Sequence, residues 1–234
     1  MGAEPADDLA RVTPGLLRQA ETMCPRRLYF EHELDRKPSH LGEAPFEVSN
    51  RLLQDAITWH KAGDPTSPGF PDPLDLEPEQ RALYRAASSV YARAFAATVD
   101  VDDLAWSTEF PDLGVRLVAP VGMPLVHDDG VRELRMLRLG GRELLVDDVD
   151  LQCLTLRAHA WAPDGFRVVV VDLIEDRSVE YDIDVATRLD DALAWFEARI
   201  EIIRARANKQ RATAGADCRF CSCIPGCPQI TVAS

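Results

Sequence analysis

Apolar side chains recur at three- and four-residue intervals along five stretches of the chain, and form short alternating or unbroken runs through its middle. The first helical stripe passes through Leu16, Leu17, Ala20 and Met23. It predicts an amphipathic helix within 12–34, with Thr13 as its cap and Pro14 in the first turn. A second stripe, over 46–61, uses Leu52, Leu53, Ala56, Ile57 and His60. Four prolines make 63–76 a loop. A third helix follows over 77–98, with Pro78 in its first turn and Leu83, Ala87, Val90, Ala94 and Thr98 on one face. The pattern then changes. Residues 104–110, 115–121, 123–127 and 132–139 are β-type runs parted by Gly, Pro and Asp, the last two joined across Asp128-Asp129-Gly130 as a tight hairpin. A helix is predicted over 150–161, a buried strand over 167–174 and a partner strand over 179–183. The longest stripe, 188–208, runs through Leu189, Leu193, Phe196, Ile200 and Ile203, and Thr187 with Asp190 resembles a capping box at its start.

This order predicts one α/β (α+β) domain over 1–234, built on a central mixed sheet. Residues 12–98 form a helical N-terminal part, 99–208 the core and 209–234 a cysteine-rich tail. With 46% hydrophobic and 28% charged residues the composition is that of a globular protein. No run approaches the roughly 18–20 apolar residues of a membrane helix. The acidic opening MGAEPADDLA lacks the apolar core of a secretory signal. The expectation is a cytoplasmic protein without membrane contact. A net charge of −13 repels nucleic acid at long range, so any affinity for it would come from a local basic patch. Basic residues gather at Arg26-Arg27, Arg132–Arg142 and Arg199–Arg211.

The cysteines sharpen the picture. There are six: Cys24, Cys153, Cys218, Cys221, Cys223 and Cys227. Without an export signal they are not expected to form structural disulfides, and four of them within ten residues ask for a metal. Cys218-x2-Cys221 can turn two thiolates onto one centre, and Cys227 adds a third after the Pro225-Gly226 turn. A fourth would come from Cys223 or Cys24. A site of thiolates alone holds zinc or an iron–sulfur cluster.

The segment RVTPGLLRQAETMCPRRLYFEHEL, with its helix ending in Cys24-Pro25 before basic and aromatic residues, strongly resembles the opening of the iron–sulfur-bearing RecB-like PD-(D/E)XK nucleases. That superfamily includes the AddB nuclease domain and CRISPR-associated exonucleases. The tail has the family's C-x2-C-x5-C spacing at Cys218, Cys221 and Cys227. The resemblance implies a restriction-endonuclease-like core and a [4Fe–4S] cluster, with zinc as the alternative, held by Cys24, Cys218, Cys221 and Cys227 so that the two ends are stapled together. Cys223 is then a spare and Cys153 a packed helix residue. Family catalysis needs two carboxylates on a divalent metal and a lysine beside the attacking water. The Gly-x-x-Asp of the family falls on Gly122-Met123-Pro124-Leu125, its (Asp/Glu)-x-Lys on Met136-Leu137-Arg138 before Gly140, and its Gln-x-x-x-Tyr on Gln152 and Leu156. The histidine of many relatives should fall near Leu53, and the nearest is His60. Of the catalytic pattern only Gln152 remains. Leu125 and Met136 cannot bind magnesium or manganese, and Arg138 is a poor stand-in for a compact ammonium, so neither metal is expected there.

Other carboxylates were weighed. Asp128 with Glu133-Leu134-Arg135 offers a shifted acid and E-x-R triplet, but a tight turn separates them. Asp128-Asp129 as a hairpin turn, with Glu133 as a solvated strand residue, is the preferred reading. Asp147, Asp148 and Asp150 read as helix caps, and His127 and His159, without partners at useful spacing, as structural or exposed. The expected function is that of a catalytically inactive binding or scaffold component in DNA repair, recombination or defence. Its expected partner is a protein, such as a helicase or nuclease subunit, with at most weak DNA binding. Two alternatives stand beside it: an active metal-dependent DNA exonuclease using other carboxylates, and a zinc- or cluster-bearing redox or sensor protein unrelated to DNA.

Overall fold

The computed structural model describes residues 9–25, 28, 44–62, 70–95, 100–105, 107–118, 122–140 and 146–208. Cys218, Cys221, Cys223 and Cys227, like Arg26, Arg27, Arg142 and Arg211, lie outside the described residues. The elements run β1 (Ala10–Val12), α1 (Pro14–Arg18), α2 (Ala44–Ala62), α3 (Pro78–Ala94), β2 (Asp100–Val101), β3 (Ser107–Phe110), β4 (Val115–Val118), β5 (Met123–Val126), β6 (Arg132–Arg138), α4 (Asp148–Ala158), β7 (Phe166–Asp172), β8 (Arg177–Ile183) and α5 (Val185–Ala207). A 3₁₀ turn, Pro111–Leu113, joins β3 to β4.

Helix starts follow the local chemistry. Thr13 accepts the Leu16 N–H at 3.3 Å, and Asp147 caps α4 by accepting the Asp150 N–H at 2.8 Å. The cap of α5 is Asp184, which accepts the Thr187 N–H at 3.1 Å, so that helix starts before the Thr187–Asp190 box read from the pattern. The first helix is only five residues, Pro14–Arg18, and a strand that the periodicity did not show, β1, precedes it.

The expected α/β fold is present, with its strands divided between two mixed sheets. The larger has the order β2-β5-β6-β7-β8, and the smaller β1-β4-β3. In the larger sheet β6 and β7 are parallel and joined through α4, while β5–β6 and β7–β8 are antiparallel hairpins. The first hairpin turns as expected at Asp128–Gly130, where Gly130 has φ +83° and the Asp129 carboxylate accepts the Val131 N–H at 3.0 Å.

Strand β7 explains the layering. Val168 and Val170 pack into one core with Leu134, Leu154, Ala158 and Val185, while Val169 and Val171 pack into another with Leu52, Ala56, Tyr84 and Tyr91. The larger sheet is thus covered by α2 and α3 on one face and by α4 on the other. A third core lies beneath the smaller sheet, where Phe196, Ile200, Ile203 and Ala207 of α5 meet Leu17, Ala20, Met23, Val115 and Leu117. Helix α4 belongs to two cores, giving Leu154 and Ala158 to one and Cys153 and Leu156 to the other.

Gly122 stands where β5 comes hard against β6. A Cβ there would lie 2.2 Å from the Arg135 carbonyl oxygen and 2.9 Å from the Met136 nitrogen. Gly122→Ala is therefore expected to destabilise the fold by about 1–3 kcal/mol, the usual cost of overpacking. The measurement is a urea midpoint that falls while the slope of the transition is unchanged.

Candidate functional site

The alternation of β5 and β6 decides which side chains can meet. Leu125 lies opposite Glu133 across the hairpin, is fully buried, and packs with the α2 and α3 core. Met136 packs into the core on the α4 side, and Arg138, two residues on, shares that side. Gln152 is half-buried on α4. Leu125 and Met136 therefore sit on opposite faces of the sheet, and the positions read as degenerate catalytic residues do not converge.

What stands beside Leu125 is a buried polar network. Glu133 and Arg135 point to the same face, with side chains 4% and 5% exposed, and the Arg135 Nε donates to Glu133 Oε1 at 2.7 Å. His127 Nε2 lies 2.7 Å from Glu133 Oε2, so both carboxylate oxygens are engaged. The Arg135 guanidinium lies 4.0 Å from the centre of the Phe95 ring and donates to the Tyr91 hydroxyl at 3.3 Å. His60 Nε2 lies 2.8 Å from that same hydroxyl. Arginine has only donors, so the Tyr91 oxygen accepts from Arg135 and its proton is available to His60 Nε2. The other ring nitrogen, His60 Nδ1, is buried without a hydrogen-bond partner among the described residues.

This network corrects two readings of the sequence. Glu133 is not a solvated strand residue, because burial of Arg135 on the same face demands a counter-charge. His127 is not without a partner, because the hairpin folds it back over Glu133. The network also draws in Tyr91 and Phe95, which the sequence reading passed over; the only signal for them was aromatic spacing on the third helix. Burial, with the Arg135 charge second, pushes the His60 pKa down to about 4. Burial likewise raises the Tyr91 hydroxyl to about 12.

The other candidates are structural. Asp147 also holds Arg18 at 2.7 Å, which keeps its carboxyl below the usual range and ties α1 to the start of α4. His159 Nδ1 lies 2.8 Å from the Leu156 carbonyl oxygen. Cys153 is buried, and burial pushes its thiol up to about 12, which leaves it protonated and inert. Among the described residues no three His, Cys, Asp or Glu side chains are grouped to hold a metal ion.

Cys24 is half-buried in the turn that follows α1. That turn packs on the last turns of α5, where Met23, Ala20 and Leu28 meet Ile203 and Ala207. Arg206 donates to the Met23 carbonyl at 2.7 Å, and Arg199 donates to Glu21 at 2.8 Å. The tail begins at this end of α5, so Cys24 and the root of the tail are neighbours. The ten residues from Asn208 to Cys218 span at most about 33–36 Å when extended. Cys24 is the one described member of the expected ligand set; Cys218, Cys221 and Cys227 lie outside the described residues.

No family model and no curated protein matches the chain. A solved crystal structure of a protein named SSO0001 aligns over 97% of this chain and 88% of that one, at 12% identity and a TM-score of 0.38.

Two outcomes follow from the network. Removing one partner of the buried pair leaves an uncompensated charge, so Glu133→Ala should lower stability by about 3–5 kcal/mol, read from chemical unfolding. The His60 pKa of about 4 lies below the unfolded value of about 6.5. In that window the unfolded chain binds the extra proton, so stability should fall as pH drops from about 6.5 to about 4. Unfolding midpoints across this range should show a shallower fall in His60→Gln than in the wild type.

Proposed function

We propose that this chain is an iron–sulfur-bearing protein of the RecB-like PD-(D/E)XK type that binds rather than cuts, serving as a scaffold component in DNA repair, recombination or defence. The observation that carries this reading is the state of Glu133. A divalent ion at that carboxylate would have to displace the Arg135 guanidinium, whose charge already balances it, and would meet Leu125 where a second carboxylate should stand. The residues at Glu133 and Leu125 do not fit a magnesium or manganese site.

Cys24, with Cys218, Cys221 and Cys227 from the tail, would hold the cluster. Bound there, it would supply a covalent link between the two ends of the chain, and its loss would loosen the whole domain. The proximity of Cys24 to the end of α5 supports this ligand set.

A protein partner is favoured over bare nucleic acid. The chain carries a net charge of −13, and the three half-buried arginines Arg199, Arg204 and Arg206 of α5 are engaged within the molecule. Arg199 pairs with Glu21, Arg204 donates to the Leu113 carbonyl and Arg206 to that of Met23. Arginines committed to internal acceptors have less to offer a phosphate backbone. Among the described residues no helix is long and apolar enough to cross a membrane.

Protein purified without oxygen should be brown and contain iron and acid-labile sulfide, both lost in Cys24→Ala. Stoichiometric zinc without iron, or full iron content in Cys24→Ala, would overturn the cluster. Incubation with single- or double-stranded DNA and magnesium or manganese should give no degradation. Cleavage that is abolished in a folded Asp128→Ala variant would restore the exonuclease alternative.

A further inference from the structure

The two edges of the larger sheet are unlike each other. The edge at β2 is two residues long, whereas β8 runs for seven, Arg177–Ile183, and pairs residue for residue with β7 without a bulge. Among the described residues no strand pairs with its outer side. Alternate residues of an antiparallel strand turn their N–H and C=O groups away from the neighbour they pair with. Strand β8 thus offers a row of backbone donors and acceptors to a further strand. Its two faces differ. Val179 and Tyr181 are half-buried and Ile183 is buried against the core on the α4 side, while Ser178, Glu180 and Asp182 are exposed on the other. Glu180 and Asp182 share the single guanidinium of Arg167, at 3.6 and 3.5 Å, which is longer than a good hydrogen bond. Their side chains stay 59% and 88% exposed. From 175 to 184 the sequence carries five carboxylates and one guanidinium, so this edge keeps an excess of negative charge.

We propose that the outer edge of β8 is a docking site for an extended segment of a partner protein, basic on one face and apolar on the other, which adds a strand to the larger sheet. Backbone pairing supplies the attachment, and the alternating side chains supply the choice of partner. A lysine or arginine opposite Glu180, and another opposite Asp182, would meet the charge that Arg167 leaves unbalanced. Apolar residues opposite Val179 and Tyr181 would continue the layer packed on the α4 side. The same carboxylates turn away an acidic strand, since like charges directly opposite one another destabilise a pair. A second copy of this chain fits less well, because each copy carries −13 and brings the same carboxylates to the seam. This edge is independent of the iron–sulfur and nuclease-like reading, and either can fail without the other.

The test uses the full chain and an end-capped, dye-labelled peptide, Val-Lys-Val-Lys-Val-Thr-Glu. Laid antiparallel to β8, it sets its lysines opposite Asp182 and Glu180 and its glutamate opposite Arg177. Affinity is measured by fluorescence anisotropy, and amide hydrogen exchange by NMR. In the free chain the outward amides of 177–183 should exchange quickly, and the peptide should slow them. The double variant Glu180→Lys with Asp182→Lys should bind about 10-fold more weakly or worse, because two cross-strand pairs turn from attraction to repulsion. A peptide whose lysines are replaced by glutamate should prefer that variant to the wild type. Glu197→Lys with Glu201→Lys makes the same change of charge at exposed positions of α5, and should stay near the wild type. No binding by the wild type, or binding that leaves the β8 amides unprotected, overturns the proposal. An equal loss in the α5 variant also overturns it, since it would show attraction to net charge alone. Outward β8 amides already protected in the free chain overturn it too, and sedimentation then separates a second copy from the chain's own residues as the occupant. If the double reversal does not fold, Glu180→Gln decides, and an unchanged affinity there counts against the proposal.

Discussion

A guanidinium buried between a sheet and its covering helices must bring its counter-charge with it, and on the central strand of the larger sheet Glu133 meets that demand from two residues away. Much of that face is arranged around this pair. Tyr91 and Phe95, from the end of α3, supply a hydroxyl and a ring to Arg135, and α2 brings His60 to the same hydroxyl. The arrangement also pins strand register. A slip of one residue would send Glu133 and Arg135 to the α4 side, into an apolar core of Leu134, Val168 and Val170. Such a pair is weak evidence for added stability, but its removal of alternative registers is a separate effect.

A second dependence runs through α5. Its apolar stripe closes the core beneath the smaller sheet, and three arginines fasten its later turns to Glu21, to the β3–β4 connection and to the Met23 carbonyl. The described N-terminal segment carries the three-residue β1 and the five-residue α1, and packs on α5. It is ordered by what it packs against. The same contacts bring the half-buried Cys24 close to the last turn of α5.

These two features are the ones that the proposed reading, binding without cleavage, rests on. Where a nuclease of the resembled type would need a solvated pair of carboxylates, this face holds a saturated ion pair and a leucine. Where an exposed run of arginines would suggest a phosphate-facing surface, the side chains are spent on carbonyls and a carboxylate of the same molecule.

The helices, the Asp128–Gly130 hairpin and the doubly buried valine strand were legible in the sequence because each is written in local spacing and local turn chemistry. The split into two sheets was not, since β1 is three residues long and pairs with β4 more than a hundred residues away. Nor was the site. Whether Leu125 faces Met136 or Glu133 depends on cross-strand register, and a side-chain period of two makes one residue the difference between opposite faces. Glu133 looked solvated because sequence shows a charge but not what covers it. Only the packing of α2 and α3 over that face turned it into half of a buried pair.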